Sequence, residues 1–399
     1  MTTDFKKDFP IFQNNPDLIF FDSTATSQKP KYVIDGIREY LENSYSNIHR
    51  GMYDIAQTSE IYYKQSKEKV CDVLNANSYK EVIYTFNSTY AINLLTQTLR
   101  RNKKLKKGDK VLVSIVEHHA NIVPWLILKE EIGIEIDYVT VDEDFNLDME
   151  DFKSKYDESV KVISLTHVSN VTGQVFDLEQ VGKLKREDTL FVVDASQSVP
   201  HMKVDVQKIN CDFLFFTGHK VFADSGIGVL WGREELLESM DCVFSGGGAI
   251  SNVASDSFSS AGLPDKYEPG TPNVTGAYSL LKAFEYIDSV GGFEVLEAVE
   301  DQLTNYFLEK AKQYDYFHIL GSDKPENRVS VFSFVIDSQH SHDVAEILAE
   351  NHIAVRSGKH CAQPLFEKYG HAHSVRASLY LYNTKEEIDK FFEVIGKLK

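Results

Sequence analysis

The chain has 399 residues, 42% of them hydrophobic and 26% charged, the balance of an ordinary globular protein with room for two domains and a large core. Acidic residues outnumber basic ones by 60 to 42, and the resulting net charge of −18 argues against nucleic acid and anionic membrane surfaces as partners. No run approaches the roughly 18 apolar residues of a membrane span, the first residues lack the apolar core of a signal peptide, and four cysteines without a CxxC pair support neither a metal site nor a disulfide framework, so a cytoplasmic location is expected.

Taken in chain order, a helix is expected over 66–74, and from about residue 80 apolar strands alternate with helices. Glu81 to Phe86 reads as a strand and Thr89 to Leu99 as a helix; Lys110 to Ile115 is a strand, and Asn121 to Glu131 a helix that tolerates Pro124 in its first turn. Strands follow over 133–141 and 160–166, a helix over 178–185, then strands ending at Asp194 and Thr217, and one over 227–231. Continuous apolar strands separated by helices imply an α/β fold with a mainly parallel sheet covered on both faces. After about residue 285 the texture changes. Strands are expected over 328–336, 353–356 and 374–382, with a helix over 341–351. The last helix opens on the capping box Thr384-Lys-Glu-Glu387 and shows Ile388, Phe391, Phe392, Ile395 and Leu398 on one face. The expected division is a large domain over 20–285 and a smaller α+β domain made of 1–19 and 286–399.

Ligands of such sheets collect at the carboxyl ends of the strands. Polar clusters fall there repeatedly: Glu117-His-His119, His167-Val-Ser-Asn170, Asp194-Ala-Ser-Gln197 and Thr217-Gly-His-Lys220. A lysine and an apolar-flanked carboxylate, Lys220 and Asp194, each at a strand tip, are what an enzyme needs to hold pyridoxal 5'-phosphate. The lysine forms a Schiff base with the aldehyde, and the carboxylate pairs with the pyridine nitrogen. Alone, Lys220 would read as a surface charge and Asp194 as a helix cap. Gln197 is either a surface amide or a donor to the cofactor's phenolic oxygen. Asn87-Ser-Thr89 opens a helix and serves either as a plain cap or as an anion site for the phosphate, with Thr217 and His219 as further phosphate candidates. His118 can stack over a pyridine ring and relay protons. No convincing third ligand accompanies His118 and His119, so no metal site is expected.

Cys361 lies in Arg356-Ser-Gly-Lys-His-Cys-Ala-Gln-Pro364, where Gly358 lends flexibility and Arg356, Lys359 and His360 surround the thiol with positive charge. Cys71 and Cys211 read as buried fillers. Arg376 is either a surface strand residue or a two-pronged clamp for a substrate carboxylate.

These residues sit in motifs that span almost the whole chain: Asp22-Ser-Thr-Ala-Thr-Ser-Gln-Lys-Pro30, Ile48-His-Arg-Gly51, Glu117-His-His-Ala-Asn-Ile-Val-Pro-Trp125, Thr166-His-Val-Ser-Asn-Val-Thr-Gly173, Gly218-His-Lys220, Gly246-Gly-Gly248, Pro269-Gly-Thr-Pro-Asn273 and the Cys361 loop. The chain resembles the cysteine desulfurases of the class V aminotransferase group, and specifically their SUF-type (group II) branch. The resemblance implies the fold of type I pyridoxal-phosphate transferases, with a seven-stranded sheet in the large domain. It implies Lys220 as the cofactor lysine, Asp194 at the ring nitrogen, Gln197 at the phenolic oxygen, and His118 stacked on the ring. Ser88, Thr89, Thr217 and His219 hold phosphate. Asn170, Arg356 and Arg376 bind substrate, with His49 and Arg50 near its entrance, and Cys361 accepts sulfur. Thr271 reaches the phosphate in the neighbouring subunit, which implies a homodimer. The implied activity is conversion of L-cysteine to L-alanine with a persulfide on Cys361, supplying iron–sulfur cluster assembly through an acceptor protein. Selenocysteine lyase and cysteine sulfinate desulfinase are the alternatives, and their leaving groups depart without help from a thiol. The chain departs from the family pattern at Lys359, at Val221 to Gly226, at Pro269 and at Ser23-Thr-Ala25.

Overall fold

The apolar runs of the first two-thirds of the chain line up side by side. The computed structural model describes residues 4–398. After the short β1 (Ile19–Phe20) come β2 (Val82–Thr85), β3 (Lys110–Ser114), β4 (Glu135–Val139), β5 (Val160–Thr166), β6 (Leu190–Asp194), β7 (Phe213–Thr217) and β8 (Gly228–Gly232). Among the described residues β2 to β8 make one seven-stranded sheet in the spatial order β2-β8-β7-β6-β5-β3-β4. Neighbours from β4 to β7 are parallel, and β8 runs against both β7 and β2. Every residue of β2, β7 and β8 is buried, as a sheet covered on both faces requires. β4 is one of the two edge strands, and its exposed or half-buried Glu135 and Asp137 discourage further pairing there.

Register decides where the polar strand ends meet. Thr166 lies opposite Asp194, Asp194 opposite Phe215, and both Thr217 and Thr85 lie opposite Gly228. The clusters that follow β2, β5, β6 and β7 therefore share one edge. Gly228 is required here. A Cβ at this position would fall 2.6 Å from the backbone of Asn87, so only glycine lets β8 pass under the turn that begins the helix Ser88–Arg101.

An exposed hairpin, β9 (Ile250–Val253) with β10 (Phe258–Ser260), separates this sheet from a second one. There β11 (Phe317–Leu320), β12 (Val331–Ile336), β14 (Arg356–Gly358) and β15 (Ser374–Ser378) are antiparallel in the order β11-β12-β15-β14, while β13 (Ile353–Ala354) pairs in parallel with β1. The single strand expected over 353–356 is thus two: the chain changes partner at Val355, from β1 to β15. The strand expected over 374–382 stops at Ser378, and Tyr380 and Tyr382 instead pack as rings near Phe222 and Phe9. The second core is aromatic, with Phe307 stacked on Phe332 at 4.0 Å between centroids. The last helix, Lys385–Ile395, forms its capping box and buries Ile388, Phe391, Phe392 and Ile395 in this core. Ile19 and Phe21 belong to the same core, whereas Phe5, Phe9 and Phe12 pack into the core of the large sheet. No helix among the described residues is long and apolar enough to cross a membrane.

Candidate active site

Each polar cluster is held by a local device. Lys220 ends a single 3-10 turn, Gly218–Lys220, directly after β7. Gly218 lets that turn lie against Ile227, whose Cγ2 would be 2.6 Å from an added Cβ. Asp194 is the last residue of β6, and its Oδ1 accepts the Ser196 N–H at 2.9 Å. Asn87 caps the helix Ser88–Arg101 by accepting the Tyr90 N–H at 2.8 Å, which leaves Ser88 and Thr89 at the open end of the helix. The carbonyl of His219 is tied to the N-terminal motif: it accepts from the Ser27 N–H at 3.1 Å, from Thr26 Oγ1 at 3.0 Å and from Lys29 Nζ at 3.0 Å.

These residues surround a cavity of about 330 Å³ at the carboxyl edge of the sheet, within the ~300–1,000 Å³ of small-molecule sites. Ser88, Thr89, His118, Asn170, Gln197 and Thr217 line it, with His219, Lys220, Arg356, Cys361 and Arg376. Asp194 lies beneath, close enough for its charge to act on Lys220. Burial pulls the Lys220 amine down to about 8, with Asp194 working in the opposite direction. Burial raises Asp194 above the usual carboxylate range, and Lys220 partly offsets this. His118 is pulled down to about 3, first by burial and then by the charge of Lys220. Its Nδ1 accepts the Ala120 N–H at 3.1 Å, so in the neutral ring Nε2 carries the proton.

The second sheet supplies the far wall. Arg376 on β15 is buried; it donates to the Asn170 carbonyl at 2.9 Å and lies 3.5 Å from Asp22 Oδ1. Arg356 grips the same aspartate with two donors, at 3.2 and 2.8 Å. Cys361 is exposed, while Cys71, Cys211 and Cys242 are buried. Burial pushes the Cys71 thiol up to about 12 and raises Cys211 as well, so neither is reactive. Asn170 Nδ2 donates to the His360 carbonyl at 2.8 Å, which ties the cysteine loop to the end of β5.

Several buried polar atoms at this edge have no hydrogen-bond partner: Thr24 Oγ1, Gln197 Oε1, Thr217 Oγ1 and Arg376 Nε. Buried polar atoms are normally paired, so atoms left open around one cavity are placed to meet a polar ligand. The Aminotransferase class-V family model matches residues 19–391. The chain belongs to the class-V aminotransferase family.

Members of this family similar to the chain include a probable cysteine desulfurase of Synechocystis sp., 39% identical over 393 residues, which are 97% of this chain and 93% of that protein. A cysteine desulfurase of Haloferax volcanii is 36% identical over 380 residues, 95% of this chain and 88% of that one. The apo structure of a cysteine desulfurase from Thermococcus onnurineus NA1 superimposes with a TM-score of 0.94 at 35% identity, covering 99% of this chain and 97% of the other. The Escherichia coli cysteine desulfurase CsdA, in its S-sulfonic acid form, gives 0.90 at 31% identity over 98% and 97% of the two chains.

His49 and Arg50, expected near the substrate entrance, and Thr271, expected at the neighbouring subunit's phosphate, lie outside the cavity of the single chain of this class-V family member. His49, Arg50 and Thr271 are exposed and do not line it. The His49 N–H donates to Glu60 at 2.6 Å. The Thr271 loop is held by the Gly270 N–H donating to the Gly247 carbonyl at 2.7 Å. Conversely, Asp22, Thr24 and Ala25 belong to the site without an expected role, and His360, expected to add positive charge around the thiol, is instead pulled down to about 2 by burial and is neutral. The first three stand in the Asp22 to Pro30 motif, which carries the family resemblance but lies far from the rest of the site in sequence.

Glu117, expected only as part of a polar strand-end cluster, does not line the cavity. It is fully buried and accepts from Asn121 Nδ2 at 2.7 Å, from the Thr166 N–H at 2.9 Å and from Ser114 Oγ. Burial nevertheless pushes its carboxyl up to about 7. A folded-state value raised above the unfolded one means that the folded protein binds the extra proton between about 4.5 and 7. The group's contribution to stability is complete below about 4.5 and is lost as pH rises through about 7. Glu117→Gln is therefore expected to flatten the pH dependence of stability between about 4.5 and 7, while its amide nitrogen, set against the Asn121 donor, costs a hydrogen bond at every pH. Urea unfolding at several pH values measures this, and parallel profiles for the two proteins would exclude the buried titration.

Proposed function

We propose that this chain is a cysteine desulfurase of the SUF-type branch. It holds pyridoxal 5'-phosphate at the carboxyl edge of the large sheet, takes L-cysteine, and yields L-alanine with a persulfide on Cys361. The observation that carries this is the convergence of the Lys220 amine and the one exposed thiol among the described residues, Cys361, on a single cavity above the buried Asp194.

The residues present fit the cofactor. Ser88 and Thr89, with the free N–H groups of their helix end, suit a phosphate, and Thr217 Oγ1 is an unpaired neighbour on the same cavity. Asp194 is a buried carboxylate suited to a protonated ring nitrogen, and Gln197 to the phenolic oxygen. His118 offers a neutral ring face. When bound, pyridoxal phosphate supplies a sink for the electrons released at the substrate Cα.

The chain's own residues supply the rest. Lys220, with its pKa lowered to about 8, is neutral in roughly a tenth of molecules at pH 7, far more than an exposed lysine, and can take up the Cα proton. Arg376 lines the cavity and has an unpaired buried Nε, and its planar guanidinium suits the substrate carboxylate. Asp22 holds Arg356 and lies beside Arg376, which orients both. The Cys361 sulfur bonds to the substrate sulfur as the Cβ–S bond breaks. One L-cysteine and one thiol thereby become one L-alanine and one persulfide. Reduction of the carbon balances oxidation of the sulfur, and no outside oxidant is needed.

A homodimer completes the site in this reading. Met52, Phe86, Val123, Leu126, Ile127 and Phe244 are exposed apolar side chains on or beside the segments that carry His49, Ser88 and His118. A second copy would cover them and bring the His49, Arg50 and Thr271 loops to a neighbouring cavity. The persulfide then passes to an acceptor protein of iron–sulfur assembly in the cytoplasm. Incubating the protein with pyridoxal phosphate and L-cysteine tests the activity. Alanine and sulfane sulfur are expected in equal amounts, with one added sulfur atom on the Cys361 peptide by mass spectrometry. Alanine formed without sulfur on that peptide would contradict the proposal.

A further inference from the structure

We propose that His119 is a positioning residue that holds the Cys361 thiol over the cavity by capping, from the large sheet, the helix that follows the cysteine. The inference rests on the sulfur-accepting role given to Cys361 above.

The helix Gln363–Tyr369 begins without a cap of its own. Its N-cap is Ala362, which has no polar side chain, and its second residue, Pro364, has no N–H. The open donor at the Gln363 N–H goes instead to His119 Nε2 at 3.1 Å. The backbone N–H of the same histidine donates to the Cys361 carbonyl at 2.7 Å. One residue thus holds both peptide groups that flank Ala362, from a turn belonging to the other sheet. The loop needs external support, because His360 and Cys361 have φ of +49° and +56°, left-handed values that side chains other than glycine rarely adopt.

The chemistry of the ring agrees. To accept at Nε2, the imidazole must be neutral with its proton on Nδ1, and burial lowers the His119 pKa in that direction. His118 turns the other way, with Nδ1 engaged by Ala120 and its ring on the cavity. The adjacent histidines therefore divide the work, one serving the cavity and the other the thiol loop.

The test uses the holoenzyme with His119→Ala and His119→Gln, the second of which keeps an acceptor. The other cysteines are buried, so alkylation by iodoacetamide reports on Cys361. His119→Ala is expected to alkylate roughly five- to tenfold faster, the effect of losing about one hydrogen bond. Its kcat on L-cysteine should fall by a similar factor with KM unchanged. Its turnover of L-cysteine sulfinate, which needs no thiol, should stay at the parent rate, and His119→Gln should recover most of both losses. Parent-like alkylation in His119→Ala, or an equal loss on both substrates, would overturn the proposal. Should the thiol prove dispensable for L-cysteine turnover, the role of Cys361 fails, and the alkylation rates still decide whether His119 holds the loop.

Discussion

Lys220→Ala is expected to lose L-cysteine turnover by roughly 10²–10⁴-fold or more, the range for removing a positioned acid–base group. Nothing nearby replaces the amine. Lys29, the other lysine close to this turn, has its Nζ occupied by the carbonyls of Ser27 and His219 at 2.6 and 3.0 Å. Lys220 by contrast lines the cavity and has its pKa drawn down to about 8 by burial. The same variant separates two functions of the residue. Ser88, Thr89 and Thr217, the residues proposed to hold the phosphate, are untouched, so pyridoxal phosphate should still bind, while borohydride should attach it to the parent at Lys220 and leave the variant unlabelled. Peptide mapping after reduction checks this. Covalent labelling at a different lysine, or a variant with parent-like rate, would remove Lys220 from the reaction.

Cys361→Ala is expected to lose sulfur transfer and little else. Alanine formation from L-cysteine should fall by roughly 10²–10³-fold, equivalent to about 3–4 kcal/mol of transition-state stabilisation. Turnover of L-cysteine sulfinate should remain within a few-fold of the parent, since its leaving group needs no thiol. The residue is exposed, and its backbone is held through its own and its neighbours' peptide groups, so alanine should cost little stability. Comparing the two substrates in parent and variant decides the matter. Full desulfurase activity without the thiol would eliminate the assigned role of Cys361.

Much of this architecture is legible in the chain because strands buried on both faces write themselves as unbroken apolar runs. Leu190 to Asp194 and Phe213 to Thr217 are such runs, and both are strands with the expected polar residue at the tip. The helix at Ser88 and the capping box at Thr384 are equally local, since each depends on residues within one turn. The change of partner at Val355 is not local. Residues 353–354 pair with β1, more than three hundred positions earlier, and 356–358 pair with β15, so a single stretch of sequence serves two ladders. The N-terminal segment likewise gives no sign that Phe9 meets Phe222, Tyr286 and Tyr382, or that Phe21 lies in the second core.

By itself the sequence determined the alternation of elements and the polar tips of the strands, Asp194 and Thr217 among them. Periodicity and turn residues act over a few positions, and those signals survive without knowledge of the fold. Only the tertiary structure decided that Asp22 holds Arg356 and lies beside Arg376, that Glu117 is buried, that His119 meets the cysteine loop, and that His49 and Arg50 lie outside the cavity of their own chain. Each of these depends on which distant segments the sheet register and the packing of two cores bring together, a long-range property that no run of neighbouring residues encodes.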